Sequence, residues 1–265
     1  VNLEYVPLLQ VQRDLYALPP GRERFQTYLR TILKDDGNSV ELPSLIVMNP
    51  AGKEHVAALL DGLLALDADG IARQAVADAA EELVKTPGKA KVALVIADDL
   101  KGGWTNRYAA EFTQRFECGT PGRLPRWLKE FWITAVLWSS EPASARAVRE
   151  SILAAVYRMA YIRQHGPAST LRARLTQEGE VLARAGCVEP ALDAEDLFYT
   201  REVLIPYFDA TNMRTTIECL FGDTAAHTLG FTPRGLSPSA GLALALHEAR
   251  TRSCVRSVRD DATIS

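Results

Sequence analysis

The sequence has little with which to build a metal cage or a disulfide framework. Its 265 residues include four cysteines and four histidines, and neither set falls into a ligand spacing. Cys118, Cys187, Cys219 and Cys254 contain no C-x-x-C pair, which argues against a zinc knuckle and fits a reducing compartment. No H-x-x-x-H or H-E-x-x-H occurs, so a protease-type zinc site is not expected. No stretch reaches the ~18 apolar residues that a membrane span requires. Residues Val1 to Gln10 lack the charged start, apolar run and small-residue cleavage site of a secretion signal, so the expected location is the cytoplasm and no membrane partner is expected.

Positive charge is also missing. The net charge of -3 gives no footprint for nucleic acid, which ordinarily shows as a basic domain. Arg250, Arg252, Arg256 and Arg259 cluster near the C-terminus and read as a solvated tail. No G-x-G-x-x-G follows any apolar run, and no G-x-S-x-G elbow occurs, which removes the dinucleotide fingerprint and the hydrolase nucleophile. Internal repeats and low-complexity segments are absent as well.

What is present is material for a sizeable core: 47% hydrophobic and 24% charged residues, in the ordinary globular range. Three apolar runs stand out, the third interrupted only by Thr134. Leu45 to Met48 ends at Asn49-Pro50, Val92 to Ala97 at Asp98-Asp99, and Phe131 to Trp138 at Ser139-Ser140-Glu141. Short runs of this kind suit strands buried on both faces.

Helical periodicity lies before and between these runs. Gly21 to Leu33 reads as an amphipathic helix, and the stripes Val56–Leu64 and Ile71–Leu83 flank a turn at Asp67–Gly70. A further helix is expected from Trp104 or Thr105 through Phe116. Beyond Pro142 no strand is expected. Helices are read over Val148–Ile162 and Leu171–Leu182, after the caps Asp193 and Asn212, and from Ser237-Pro238.

The reading is therefore an α/β fold, a small parallel β-α-β-α-β sheet followed by a mainly helical C-terminal half. Its expected regions are 1–142 (the sheet with its N-terminal helix), 143–252 (helices packed on it) and 253–265 (a flexible basic tail). A sheet this narrow needs its faces covered by the helical half or by a second copy, so a homodimer is a natural expectation.

In open parallel sheets, ligands bind in the crevice outside the carboxyl ends of the strands. That places Asn49, Asp98, Asp99, Ser140 and Glu141 along one edge. The loop after the second run adds Gly102, Gly103, Trp104, Asn106 and Arg107. The glycines let backbone amides approach a ligand, and Trp104 offers an apolar wall. Arg107 and Lys53 suit an anionic group, Asn49 and Asn106 can orient a ligand, and Asp98 or Glu141 can act as acid or base.

Gly52-Lys53 lacks the first glycine and the Ser/Thr of a phosphate-binding loop, so nucleotide hydrolysis is not expected. A magnesium-type set of Asp98, Asp99 and Glu141 is conceivable, but adjacent aspartates on extended backbone point apart. Of the histidines, His55 alone falls near the crevice. The sequence names no cofactor. It supports binding or transformation of a small polar or anionic metabolite; the alternative is a helical assembly or interaction protein without catalytic activity.

Overall fold

The computed structural model describes residues 1–33, 39–100, 105–117 and 131–262, with side chains as far as 253. In chain order the elements are β1 (Asn2–Tyr5), α1 (Leu9–Ala17), α2 (Arg22–Ile32), a 3-10 turn (Pro43–Val47), α3 (Glu54–Ala65), α4 (Ala68–Glu82) and β2 (Lys89–Ala97). There follow α5 (Arg107–Phe116), β3 (Trp132–Trp138), α6 (Ala145–His165), α7 (Leu171–Arg184) and α8 (Ala194–Leu204). A short 3-10 turn (Ile205–Tyr207) leads to α9 (Met213–Phe221), α10 (Asp223–Thr228) and α11 (Ala240–Ala262). The fold is α/β, with three parallel strands in the order β1-β2-β3 and a helical C-terminal half. Among the described residues no helix is long and apolar enough to cross a membrane. The chain divides into two compact units, Val1–Arg107 with Gly119–Arg163, and Tyr108–Cys118 with Gln164–Ser265.

In the first unit β2 is the central strand, and every residue from Val92 to Ala97 is buried. Its apolar run is continuous because both faces are covered, as parallel sheets require. The registers run Asn2↔Lys89 to Tyr5↔Val92 on one side and Lys91↔Trp132 to Ala97↔Trp138 on the other.

The first strand is not the one the apolar runs suggest. Leu45 to Val47 falls in a 3-10 turn instead, with Met48 just after it, and the strand beside β2 is the short, half-exposed Asn2–Tyr5. Pro43, at the start of that turn, has no N–H to give a sheet ladder. Leu45 and Met48 are fully buried while Ile46 is 42% exposed, so the run is core filler under the sheet. Ser44 Oγ lies 2.8 Å from Thr134 Oγ1 of β3.

Because β1 ends at Tyr5, β2 outruns it. Gln12 of α1, wholly buried, takes over at Ile96: its Nε2 donates to the Ile96 carbonyl at 2.8 Å and its Oε1 accepts from the Ile96 N–H at 2.8 Å. One side-chain amide thus does for β2 what a neighbouring strand would do. The α3 and α4 stripes are separate helices, parted at Asp67, which adopts a left-handed φ of 52° and accepts from the Gly70 N–H.

The second unit is helical. Thr170, Asp193 and Asn212 cap α7, α8 and α9 with their side-chain oxygens, each satisfying an otherwise unpaired N–H. The long α11 packs against α7, α8 and α9. A Cβ at Gly179 of α7 would stand 2.3 Å from the Ala245 carbonyl oxygen, so that crossing depends on the missing side chain. Cys187 and Cys219 are both buried, and burial pushes the Cys219 thiol up to about 12; such a thiol is an inert packing group.

Candidate functional site

Asp98 follows β2 directly and is 4% exposed. The parallel ladder continues one step past β3, with Ser139 N–H donating to the Ala97 carbonyl at 2.9 Å. That step sets Ser139 beside Asp98, and its Oγ donates to Asp98 Oδ1 at 2.9 Å. From the segment before α3, Asn49 Nδ2 donates to Asp98 Oδ2 at 3.0 Å. From the first turn of α3, His55 Nε2 sits 2.8 Å from Asp98 Oδ1. The Leu100 N–H adds a bond at 3.1 Å. Burial pulls the Asp98 carboxyl upward, but the bonds from His55, Ser139, Asn49 and the Leu100 N–H outweigh it, and the net direction is down. Asp98 is therefore an ionised carboxylate kept out of water by donors from three segments of chain.

The loop that delivers Asn49 and His55 is itself held. Tyr16 Oη donates to the Asn49 carbonyl at 2.7 Å, and Asn49 Oδ1 accepts from the Ala51 N–H at 3.0 Å. Arg24, 4% exposed, donates to the Gly52 carbonyl at 2.7 Å and lies over the Tyr16 ring at 5.3 Å. A Cβ at Gly52 would fall 2.9 Å from the Tyr16 ring and hydroxyl, so glycine is what lets the loop close on Tyr16. Burial, and then the Asp98 charge, push the Tyr16 phenol well above its usual range, so it acts here as a neutral donor.

A second cluster adjoins the first. Asp99 accepts from Ser140 N–H at 2.9 Å, Ser140 Oγ at 2.7 Å and Arg107 Nη1 at 3.2 Å. Arg107, the first residue of α5, also pairs through Nη2 with Glu141 and lies 5.4 Å from the Trp138 ring centroid. Ser139 Oγ stands between the clusters, 2.9 Å from Asp98 Oδ1 and 3.1 Å from Asp99 Oδ1. The two aspartates do not part to opposite faces, because the strand ends at Ala97.

The crevice residues thus fall into groups. Asn49 and Asp98 join one cluster, and Asp99, Arg107, Ser140 and Glu141 the other. Asn49 arrives from the loop beyond a 3-10 turn and not from a strand end. Lys53 is exposed and pairs with no carboxylate among the described residues. Asn106 is half-buried one residue before α5, and Gly102, Gly103 and Trp104 lie outside the described residues. Arg107, expected to read an anion, is already compensated by Asp99 and Glu141.

Sequence reasoning placed His55 near the crevice and Ser139 at the end of a run but gave neither a role, and it left out Tyr16 and Gln12. Ser139 was legible as the first residue after an apolar run. His55 sits three positions from a Gly-Lys helix start, a weak signal. Nothing in the sequence marks Tyr16 or Gln12.

Chemically, the cluster is not a nucleophilic triad. The base must touch the serine for that chemistry, whereas here Asp98 separates Ser139 from His55. Among the described residues no group of three or more His, Cys, Asp or Glu side chains is placed to hold a metal ion, and Glu141 is turned to Arg107 and away from a magnesium-type set. What remains is a histidine oriented by a buried carboxylate, flanked by amide and hydroxyl groups. Comparison with protein-family models, with curated proteins and with solved structures finds no match to this chain.

Proposed function

We propose that this protein binds, or binds and transforms, a small polar metabolite at the carboxyl ends of its parallel strands, against the Asn49–His55–Asp98–Ser139 cluster. The observation that carries the reading is Asp98: a carboxylate 4% exposed, at the edge where such sheets hold ligands, satisfied by neutral donors and an imidazole. Buried carboxylates that serve only structure are ordinarily paired with a cation. An anionic group on the metabolite falls to Lys53, because Arg107 is compensated by two carboxylates.

A thermal-shift screen of the purified protein against metabolites, nucleotides and divalent metals tests this, since a ligand of the folded state raises the melting temperature by mass action. The expected result is a shift from one chemical class that is lost in Asp98→Asn and kept in Arg107→Ala. A shift lost only in Arg107→Ala would move the site to the Asp99–Glu141 cluster. Silence across a broad panel would set the small-molecule reading aside.

One observation favours a second reading, a helical interaction protein. On α8 and just after it, Phe198 is 68% exposed, and Tyr199 and Ile205 are 47% exposed each, an apolar surface of the kind that marks contact sites. Sedimentation velocity over a range of concentrations separates the readings: a monomer throughout counts against self-association through this face.

A further inference from the structure

His55 offers its two ring nitrogens to different surroundings. Nε2 lies 2.8 Å from Asp98 Oδ1. Nδ1 is buried and has no hydrogen-bond partner among the described residues. The ring as a whole keeps 19% of its side-chain surface, so it stands at the margin of the cluster and not in the core. An ionised carboxylate only accepts hydrogen bonds, so the nitrogen facing Asp98 carries the proton. In neutral imidazole the other nitrogen then bears the lone pair, and its tautomer is set by the partner opposite, as in other carboxylate-oriented histidines.

From this geometry we infer that His55 Nδ1 is the acceptor of the proposed site, and that the ligand class is one presenting an N–H or O–H donor: an amine, an ammonium or a hydroxyl compound. The inference rests on the small-molecule reading above and names the substrate class of that same site. An acceptor held out of water without a donor is destabilising, so a ligand donor at Nδ1 makes a bond without breaking one to protein. The surrounding charge favours the same class. Among the described residues three carboxylates, Asp98, Asp99 and Glu141, stand here with one arginine in direct ion pairs, Arg107 to Asp99 and Glu141, which disfavours an anion at this point and favours an ammonium. Ser139 and Asn49, both spent as donors to Asp98, fix the carboxylate so that it in turn fixes the imidazole. His55 is thus the group that meets the ligand, and Asp98 is a positioning residue acting through it.

The deciding experiment is nitrogen NMR of the full chain labelled with 15N-histidine, with no ligand added, assigned by comparison with His55→Gln. The expected spectrum shows the neutral His55 ring protonated at Nε2 and bare at Nδ1, with that preference lost in Asp98→Asn. A proton on Nδ1, alone or in a fixed imidazolium, would overturn the inference, because the ring would then be a donor and call for an acceptor. A second arm uses four probes in the thermal-shift assay: ethanolamine and glycerol, which carry donors, and sulfate and glycine betaine, which carry none. Stabilisation by ethanolamine or glycerol that is lost in His55→Gln supports the assignment; stabilisation by sulfate or betaine that is lost in the same variant overturns it. A bare Nδ1 together with silence across the whole metabolite panel keeps the tautomer and removes the small-molecule reading, so the two failures are told apart.

Discussion

Each unit buries a carboxylate, and the two are satisfied by opposite means. In the helical unit Glu178 of α7 is fully buried and pairs with Arg115 of α5, which also holds Glu111 at 2.8 Å. Glu218 of α9, 1% exposed, is met by Arg214 at 2.9 Å and by Arg234. Burial alone would pull the Arg115 guanidinium down; Glu178 and Glu111 more than reverse this. In the sheet unit Asp98 is nearly as buried, but amide, hydroxyl, imidazole and backbone N–H groups serve it. Charge neutralised by charge locks helices together and leaves little field behind. Charge dissolved in hydrogen bonds keeps its field, and a neighbouring imidazole or ligand can use it. The contrast teaches that burial of an acid does not by itself mark a site; the kind of partner does.

Removing the cation from the helical cluster gives the largest expected effect. Arg115→Met strands Glu178 without its arginine, and breaking such a pair costs about 3–5 kcal/mol, read as a lowered urea midpoint. A loss under about 1 kcal/mol would mean that the pair lies in far wetter surroundings than its burial indicates.

Next come the hydrogen-bonded groups. Gln12→Leu leaves the Ile96 N–H and carbonyl without their side-chain partner, and Asp98→Asn turns an acceptor into a competing donor; each is expected to cost roughly 1–3 kcal/mol. Equal losses for Asp98→Asn and Arg115→Met would erase the contrast between the clusters.

The pH dependence sharpens it. The folded Asp98 carboxyl is held below its unfolded value, so its contribution is fully present above the unfolded value, near pH 4, and lost as the pH falls through the folded one. Stability of Asp98→Asn is therefore expected to fall less steeply than that of the parent protein below about pH 4. Parallel acid limbs in the two proteins would show that Asp98 titrates alike folded and unfolded. The smallest effect belongs to Arg107→Ala, within about 1 kcal/mol, because its pairs with Asp99 and Glu141 are partly solvated; a larger loss would place this arginine among the structural pairs of the helical unit.

Much of this was legible from local pattern. The strands β2 and β3 stand in the sequence as the apolar runs Val92–Ala97 and Phe131–Trp138, and Asp193 and Asn212 were readable as caps. Asp98, Asp99, Ser140 and Glu141 were placed at the carboxyl edge simply by following those runs. What failed was the assignment of Leu45–Met48, since a four-residue apolar run looks the same whether it pairs in a sheet or fills the space beneath one. The true first strand, Asn-Leu-Glu-Tyr, is short and half-exposed, and alternates too briefly to register.

The sequence by itself determined the class of the fold, the central strand and the polar character of the sheet's edge, because those follow from hydrophobic period and turn chemistry within a dozen residues. Tertiary structure alone decided that Gln12 would stand in for a strand at Ile96 and that Tyr16 and Arg24 would hold the loop at Asn49 and Gly52. It also closed Arg107 between two acids and set His55 against Asp98. Apart from Arg107 with Asp99, eight positions apart, these contacts join residues 28 to 84 positions apart. They depend on the angle and height at which separate elements pack, and no local propensity encodes those.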